Sequence, residues 1–201
     1  MSQNTEKALQ RRLDLMLERI ESPKFLNNDG LGNEIGFWVF DYPAKFELTV
    51  RDYLASLITK LDKHGHQFQH FNIFQCLIEI LESRNLLDRT FIREQQIGTE
   101  ILRKNLAAPL NQKKVANFIA DKAFNQQASL DFVILSGLGN AWPLVRGHEL
   151  LSALQDVMGS TPLVLFYPGE YSGRDLHPFG MIDSKNYYRA FKLVPEKGEN
   201  S

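Results

Sequence analysis

Apolar residues fall along this chain in two alternating rhythms, and the alternation gives the first evidence about its fold. From Leu9, apolar side chains recur at Leu13, Met16 and Ile20, which places them on one stripe of a helix. That spacing predicts a first helix from about Thr5 to Glu21, stopped by Pro23 and followed by a turn-forming loop from Asn27 to Asn33. Gly36-Phe37-Trp38-Val39-Phe40-Asp41 is a short, bulky run, too short for a helix and of the kind covered on both faces in a parallel sheet. After Pro43 the helical rhythm returns at Phe46, Val50, Leu54, Ile58 and Leu61, which completes one β-α step.

The same alternation continues. His70 to Phe74 predicts a second strand, whose continuation from Cys76 to Leu81 turns helical, and amphipathic segments follow over Leu86 to Leu106 and Asn111 to Phe124. Leu130 to Leu135 is the clearest strand, released by Gly137 and Gly139. A helix over His148 to Met158 leads to a buried strand, Leu163 to Tyr167, expected to break at Pro168-Gly169 before a long polar loop. Tyr187 to Val194 alternates with period two, as a half-exposed strand near a sheet edge does. No repeat or linker divides the chain. The expectation is one α/β domain over 1–195 with an N-terminal helix, a disordered polar tail over 196–201, and a mostly parallel sheet of about five strands with helices on both faces. Ligands of such sheets gather beyond the carboxyl ends of the strands, which points to Asp41 to Lys45, Ser136 to His148 and Pro168 to Gly180.

Composition narrows the function classes. The 201 residues are 43% hydrophobic, enough for one sizeable core. With 23 Lys and Arg against 24 Asp and Glu, the net charge of -1 sets up no global field toward nucleic acid, a membrane or an acidic substrate. The single cysteine, Cys76, lies in an apolar run and suits a reducing, cytoplasmic compartment, and no apolar run approaches the ~20 residues of a membrane span.

Several segments carry incomplete chemistry. Asp41-Tyr42-Pro43-Ala44-Lys45 passes from strand to helix with a lysine, the setting of a phosphate loop, but the wrapping glycines and the magnesium-holding Ser or Thr are missing. The core is at most a degenerate P-loop-like one without that loop. Gly137-Leu138-Gly139 starts like a dinucleotide fingerprint and fails at Trp142 and Pro143. His64, His66, His70 and Cys76 match no zinc spacing, Cys76 reads as core, and Ser136 lacks the G-x-S-x-G elbow. No catalytic, cofactor-binding or metal-binding residue is assigned.

Recognition fits the remaining polar residues better. In the loop from Pro168 to Pro178, Glu170, Asp175 and His177 could serve as acid, base and orienting group, yet no nucleophile or metal pairs with them. Tyr171 and Arg174, with Tyr188 and Arg189, are the residue types that anchor protein interfaces. Arg146, His148 and Glu149, at the mouth of the sheet, suit an anion or a partner carboxylate. The partner-binding candidates are therefore Arg146, His148, Glu170, Tyr171, Arg174, Tyr188 and Arg189. The runner-up is a cryptic nucleotide-dependent or hydrolytic enzyme using Lys45, Arg146, Glu170 and His177. A third reading, a nucleic-acid-binding accessory protein, would rest on Arg103, Lys104, Lys113 and Lys114, but these lack interleaved aromatics and read as a solvated face.

Two C-terminal blocks carry a family resemblance: Ile134-Leu135-Ser136-Gly137-Leu138-Gly139 with Pro143, Arg146, His148 and Leu150, and Phe166-Tyr167-Pro168-Gly169-Glu170-Tyr171-Ser172-Gly173 with Asn186 to Phe191. In these, and in the strand and turn from Phe37 to Pro43, the chain resembles the BrxB family of bacterial BREX phage-defence systems along nearly its whole length. The resemblance implies a setting shared with an ATPase, a DNA adenine methyltransferase and a phosphatase-like protein; together with the absence of an enzyme signature and the exposed polar loop, it leads to the expectation of a non-enzymatic subunit or adaptor that binds them. It supplies no catalytic residues.

Overall fold

Phe37–Tyr42 forms β1, and all six of its residues are buried because helices cover both faces of this strand. The computed structural model describes residues 2–28, 36–125, 129–181, 188 and 190–196. Among the described residues three helices precede β1: α1 (Ser2–Asp14), α2 (Met16–Ile20) and α3 (Pro23–Leu26). A 3-10 turn at Ala44–Phe46 leads from β1 into α4 (Glu47–Lys63) and then β2 (Phe68–Asn72). Four helices follow, α5 (Ile73–Ser83), α6 (Leu87–Ile97), α7 (Thr99–Leu106) and α8 (Gln112–Asn125), before β3 (Phe132–Ser136). The chain then runs through α9 (Leu138–Ala141) and α10 (Gly147–Met158) into β4 (Leu163–Tyr171), β5 (Leu176–Pro178) and β6 (Phe191–Lys192).

Among the described residues the sheet order is β2-β3-β4-β1-β6 with every neighbouring pair parallel, and β5 runs antiparallel against β4. Because side chains alternate along a strand, each central strand feeds two cores. Trp38, Phe40, Phe132, Ile134, Val164 and Phe166 pack under α1 to α4 with Leu13, Met16, Leu54 and Leu57. Val39, Val133, Leu135, Leu163 and Leu165 pack on the other face with Leu77, Ile119, Leu150 and Leu154. The expected α/β architecture, a mostly parallel sheet between two helical layers, is the one observed. The chain leaves β1 over one face and β3 over the other, on either side of the intervening β4, and a crevice lies near the carboxyl ends of these strands.

Some boundaries differ from the sequence expectation. The first helix breaks at Leu15, so Thr5 to Glu21 is two helices. The stretch from Leu86 to Leu106 is likewise two, meeting at Gly98. β4 does not break at Pro168-Gly169 but continues to Tyr171, and the expected polar loop is a hairpin with Glu170 opposite His177. A β-carbon on Gly169 would stand 2.3 Å from the His177 carbonyl oxygen, so the glycine permits close antiparallel approach rather than ending the strand. Of the last predicted strand, β6 is Phe191–Lys192 at the edge beside β1, as expected of an edge strand. Residues 29–33 of the expected first loop, Tyr187 and the tail from residue 197 lie outside the described residues.

Candidate functional site

Asp41 ends the apolar run of β1 with a carboxylate, and the structure surrounds that carboxylate with donors. Arg12, on α1, donates to Asp41 Oδ1 at 2.6 Å and to the Asp41 carbonyl at 2.8 Å, while its Nε donates to the Val194 carbonyl at 2.8 Å. Its guanidinium also lies 4.7 Å from the centre of the Phe40 ring. The other carboxylate oxygen accepts the Tyr171 backbone N–H at 3.0 Å and stands 3.8 Å from Lys192 Nζ. Both residues are buried, Arg12 at 7% and Asp41 at 8% exposure. This network forms the floor of a cleft of about 450 Å³ at the carboxyl edge of the sheet, walled by Glu170, Ser172, His177 and Glu196.

The hairpin brings together some of the predicted residues and separates others. Glu170 and His177 stand opposite each other in the β4-β5 pair and both line the cleft. Asp175 sits in the turn, where its N–H donates to Ser172 Oγ at 2.9 Å. Ser172 Oγ also accepts from the Arg174 N–H, so this hydroxyl shapes the turn. Arg174 is exposed. Lys45 borders a neighbouring cleft with Glu170 and Met181, so two residues of the hydrolytic alternative meet there. Arg146 is exposed just before α10, and His148 is half-buried with Nε2 3.7 Å from Glu149. Burial lowers the His148 pKa below its ordinary value.

Two partner candidates need correction. Tyr171 is 1% exposed and Tyr188 3%, so neither presents a surface to a partner. The Tyr171 hydroxyl accepts from the Ala190 N–H and donates to the Ala190 carbonyl, both at 2.8 Å, which fastens the chain before β6 to the hairpin. Tyr188 accepts a hydrogen bond from Gln155 on α10, and its burial raises its pKa. Aromatic residues with a polar tip serve a core as readily as an interface, and the sequence does not separate the two uses. Arg189 lies outside the described residues.

The turn after β1 is built around an acid. Tyr42 donates to Glu47 Oε2 at 2.6 Å, which places a carboxylate in the first turn of α4, where a phosphate loop would hold its anion. Across the crevice, His70 Nε2 lies 2.8 Å from Ser136 Oγ, joining the middle of β2 to the end of β3 beside a small cavity of about 160 Å³. Burial lowers the His70 pKa, and no carboxylate among the described residues orients its second nitrogen. The pair joins positions 66 residues apart, and sequence spacing gave no sign of it.

The remaining histidines have a different role. His64 Nδ1 at 2.6 Å and His66 Nε2 at 3.1 Å converge on Glu21 Oε1, while His66 Nδ1 is 3.6 Å from Asp131. Burial raises the Glu21 pKa, but the two histidines outweigh it and hold the carboxyl below its usual range. Among the described residues no cluster of three or more such groups is arranged to hold a metal, and no helix is long and apolar enough to cross a membrane.

Similarity to known proteins covers nearly all of this architecture. A family model described as BREX protein BrxB matches residues 69–193, which include the hairpin and the carboxyl ends of β3 and β4 but not β1. A BREX protein BrxB from Escherichia coli O9:H4 (strain HS) is 57% identical over 190 residues, 94% of either chain. A BREX protein BrxB from Bacillus cereus (strain H3081.97) is 36% identical over 188 residues, 91% of this chain and 96% of that one. No solved structure matches.

Proposed function

The chain belongs to the BrxB family of BREX proteins, and we propose that it acts as a non-enzymatic subunit or adaptor of such an anti-phage defence system, binding the system's other proteins. The phosphatase-like protein, the methyltransferase and the ATPase are the candidate partners. One observation carries this reading. Asp41, the buried acid at the carboxyl edge of the sheet, has both oxygens engaged by Arg12, Tyr171 and Lys192. The group best placed for chemistry therefore serves to join α1, β1, β4 and β6, while Glu170 and Arg174 remain exposed on the hairpin for contact. The test is affinity purification of the tagged full chain from cells carrying the whole BREX system. Retention of at least one of the three proteins, reduced by Glu170→Ala with Arg174→Ala, is the expected result, and retention of none counts against the adaptor.

The contact between His70 and Ser136 favours a second reading, hydrolysis, because a serine hydroxyl beside an imidazole is the core of a nucleophile-base pair. A fluorophosphonate probe distinguishes it: labelling lost in Ser136→Ala and in His70→Ala would support an enzyme, and no labelling would support the adaptor.

A further inference from the structure

β2 stands at one end of the sheet order. Among the described residues it pairs only with β3, and its residues are mostly half-buried where those of β1 and β3 are buried throughout. The register decides which of its main-chain groups are left over. Val133 N–H donates at 2.9 Å to the Pro162 carbonyl, on the β4 side of β3. Successive residues turn their N–H and C=O groups to opposite sides of a strand, so Phe132, Ile134 and Ser136 face β2. Gln69 is in register with Val133 and Phe71 with Leu135, which sets these two between the β3 residues that face them. Phe68 and His70 therefore turn their N–H and C=O groups outward, and among the described residues no hydrogen bond reaches those groups.

Sheets usually protect such an edge. β6, at the other end, is two residues long and ends in Lys192. β2 has neither device, because Phe68-Gln69-His70-Phe71-Asn72 is five residues without a lysine, a carboxylate or a proline. Beside it lies an open cavity of about 320 Å³, lined by Gln69 and Asn72 of β2, Gln75 and Glu79 of α5 and Lys122 of α8. Glu79 and Lys122 pair in its wall. Free main-chain groups along an edge give affinity for an added strand, and a side-chain pocket beside them gives specificity.

We propose that β2 takes an added strand from a partner protein, an extended segment whose main chain pairs with Phe68 and His70 and whose one long polar side chain enters the cavity beside Gln75 and Glu79. This rests on the adaptor reading and names its interface. An extended polypeptide presents donors and acceptors at the ~7 Å repeat of an outward edge, which other ligands do not. A second copy of the chain does not complete the site. On this face its own β2 carries Gln69, which lines that copy's own cavity, and Phe71, which is 7% exposed beneath its own helices, so self-pairing leaves both cavities unfilled.

The test is hydrogen–deuterium exchange resolved to single residues, on the full chain alone and in complex with the phosphatase-like protein, methyltransferase or ATPase that co-purifies with it. In the free chain the amides of Phe68 and His70 are expected to exchange fast and those of Gln69 and Phe71 slowly; in the complex the first two should slow about tenfold or more. Unchanged exchange at Phe68 and His70 in a complex that does form overturns this interface and leaves the adaptor standing, whereas retention of no defence protein refutes both. Slowing in the chain alone as its concentration rises, with the mass doubling in light scattering, would give the edge to a second copy and overturn the partner strand. Gln75→Trp, at an exposed position of α5, fills the cavity and is expected to lower the co-purified amount about fivefold or more with the melting temperature retained. Undiminished retention by that variant counts against a side chain in the cavity, and loss confined to Glu170→Ala with Arg174→Ala assigns the contact to the hairpin and refutes the edge.

Discussion

Arg12 grips Asp41 at two points, its side-chain oxygen at 2.6 Å and its backbone carbonyl at 2.8 Å, and so fastens the N-terminal helix to the end of the central strand. A buried ion pair owes its charges to each other, and removing one partner leaves the other uncompensated in an apolar setting. Asp41→Ala is expected to destabilise the protein by about 3–5 kcal/mol, and Arg12→Ala by a comparable amount. Asp41→Asn keeps an acceptor for the Tyr171 N–H and should cost less. Urea denaturation of the three variants measures the order, and a near-neutral Asp41→Ala would show that the network does not hold the elements together.

Gly137 sits against Asn72 where β3 passes into α9. Its φ is +73°, and a β-carbon there would stand 2.3 Å from Asn72 Oδ1. Gly137→Ala therefore combines an unfavourable backbone region with a collision and is expected to cost about 1–3 kcal/mol. Asn72 accepts from the Gln75 N–H at the start of α5, so Asn72→Ser retains a cap while shortening the side chain. The double variant should recover part of the loss in a thermal melt. Equal stability of the single and double variants would locate the cost in the backbone alone.

The legible parts of the fold were those set by burial on both faces. Phe37 to Asp41, Leu130 to Leu135 and Leu163 to Tyr167 read as strands because central parallel strands contain almost nothing polar, and the structure has strands at each. Pro168-Gly169 misled because proline and glycine usually end strands. Here the Pro168 carbonyl still accepts from Phe179, and Gly169 admits the returning β5. The site was less legible for a different reason. Arg12 and Asp41 are 29 positions apart and His70 and Ser136 are 66 apart, so each pair exists only once the sheet has formed. Tyr171 and Tyr188 were identified by residue type, which does not distinguish a buried tether from an exposed anchor.

Acid should weaken the fold through His70. Burial lowers its pKa in the native state below the ordinary 6.5, so the folded protein resists a proton that the unfolded chain accepts. Stability is then highest above about pH 6.5 and falls as the pH drops from there toward the native pKa. His70→Gln removes this part of the dependence and keeps a hydrogen-bonding group opposite Ser136. Melting temperatures between pH 7.5 and 5.5 should fall less in the variant than in the wild type. A residual slope is expected from His148, which burial shifts in the same direction. An unchanged slope would mean that His70 is protonated in the folded state as readily as in the unfolded one.

Cys76 offers a direct measure of core opening. It is 3% exposed, and burial, helped by the nearby Glu79 and opposed by Lys122, pushes its thiol up to about 12. Thiolate is the reacting species, so at pH 8 the native thiol should react with an aromatic disulfide reagent roughly a thousandfold more slowly than an ordinary exposed cysteine. Whatever reaction occurs must then pass through molecules whose second helical layer, α5 with α8, has opened. The rate should rise in Asp41→Ala, because that variant populates open states more, and should reach the free-thiol value in denaturant. Rapid labelling of the wild type, unchanged by Asp41→Ala, would instead mean that the reagent reaches Cys76 in the closed protein, through the neighbouring cavity bordered by His70 and Glu79.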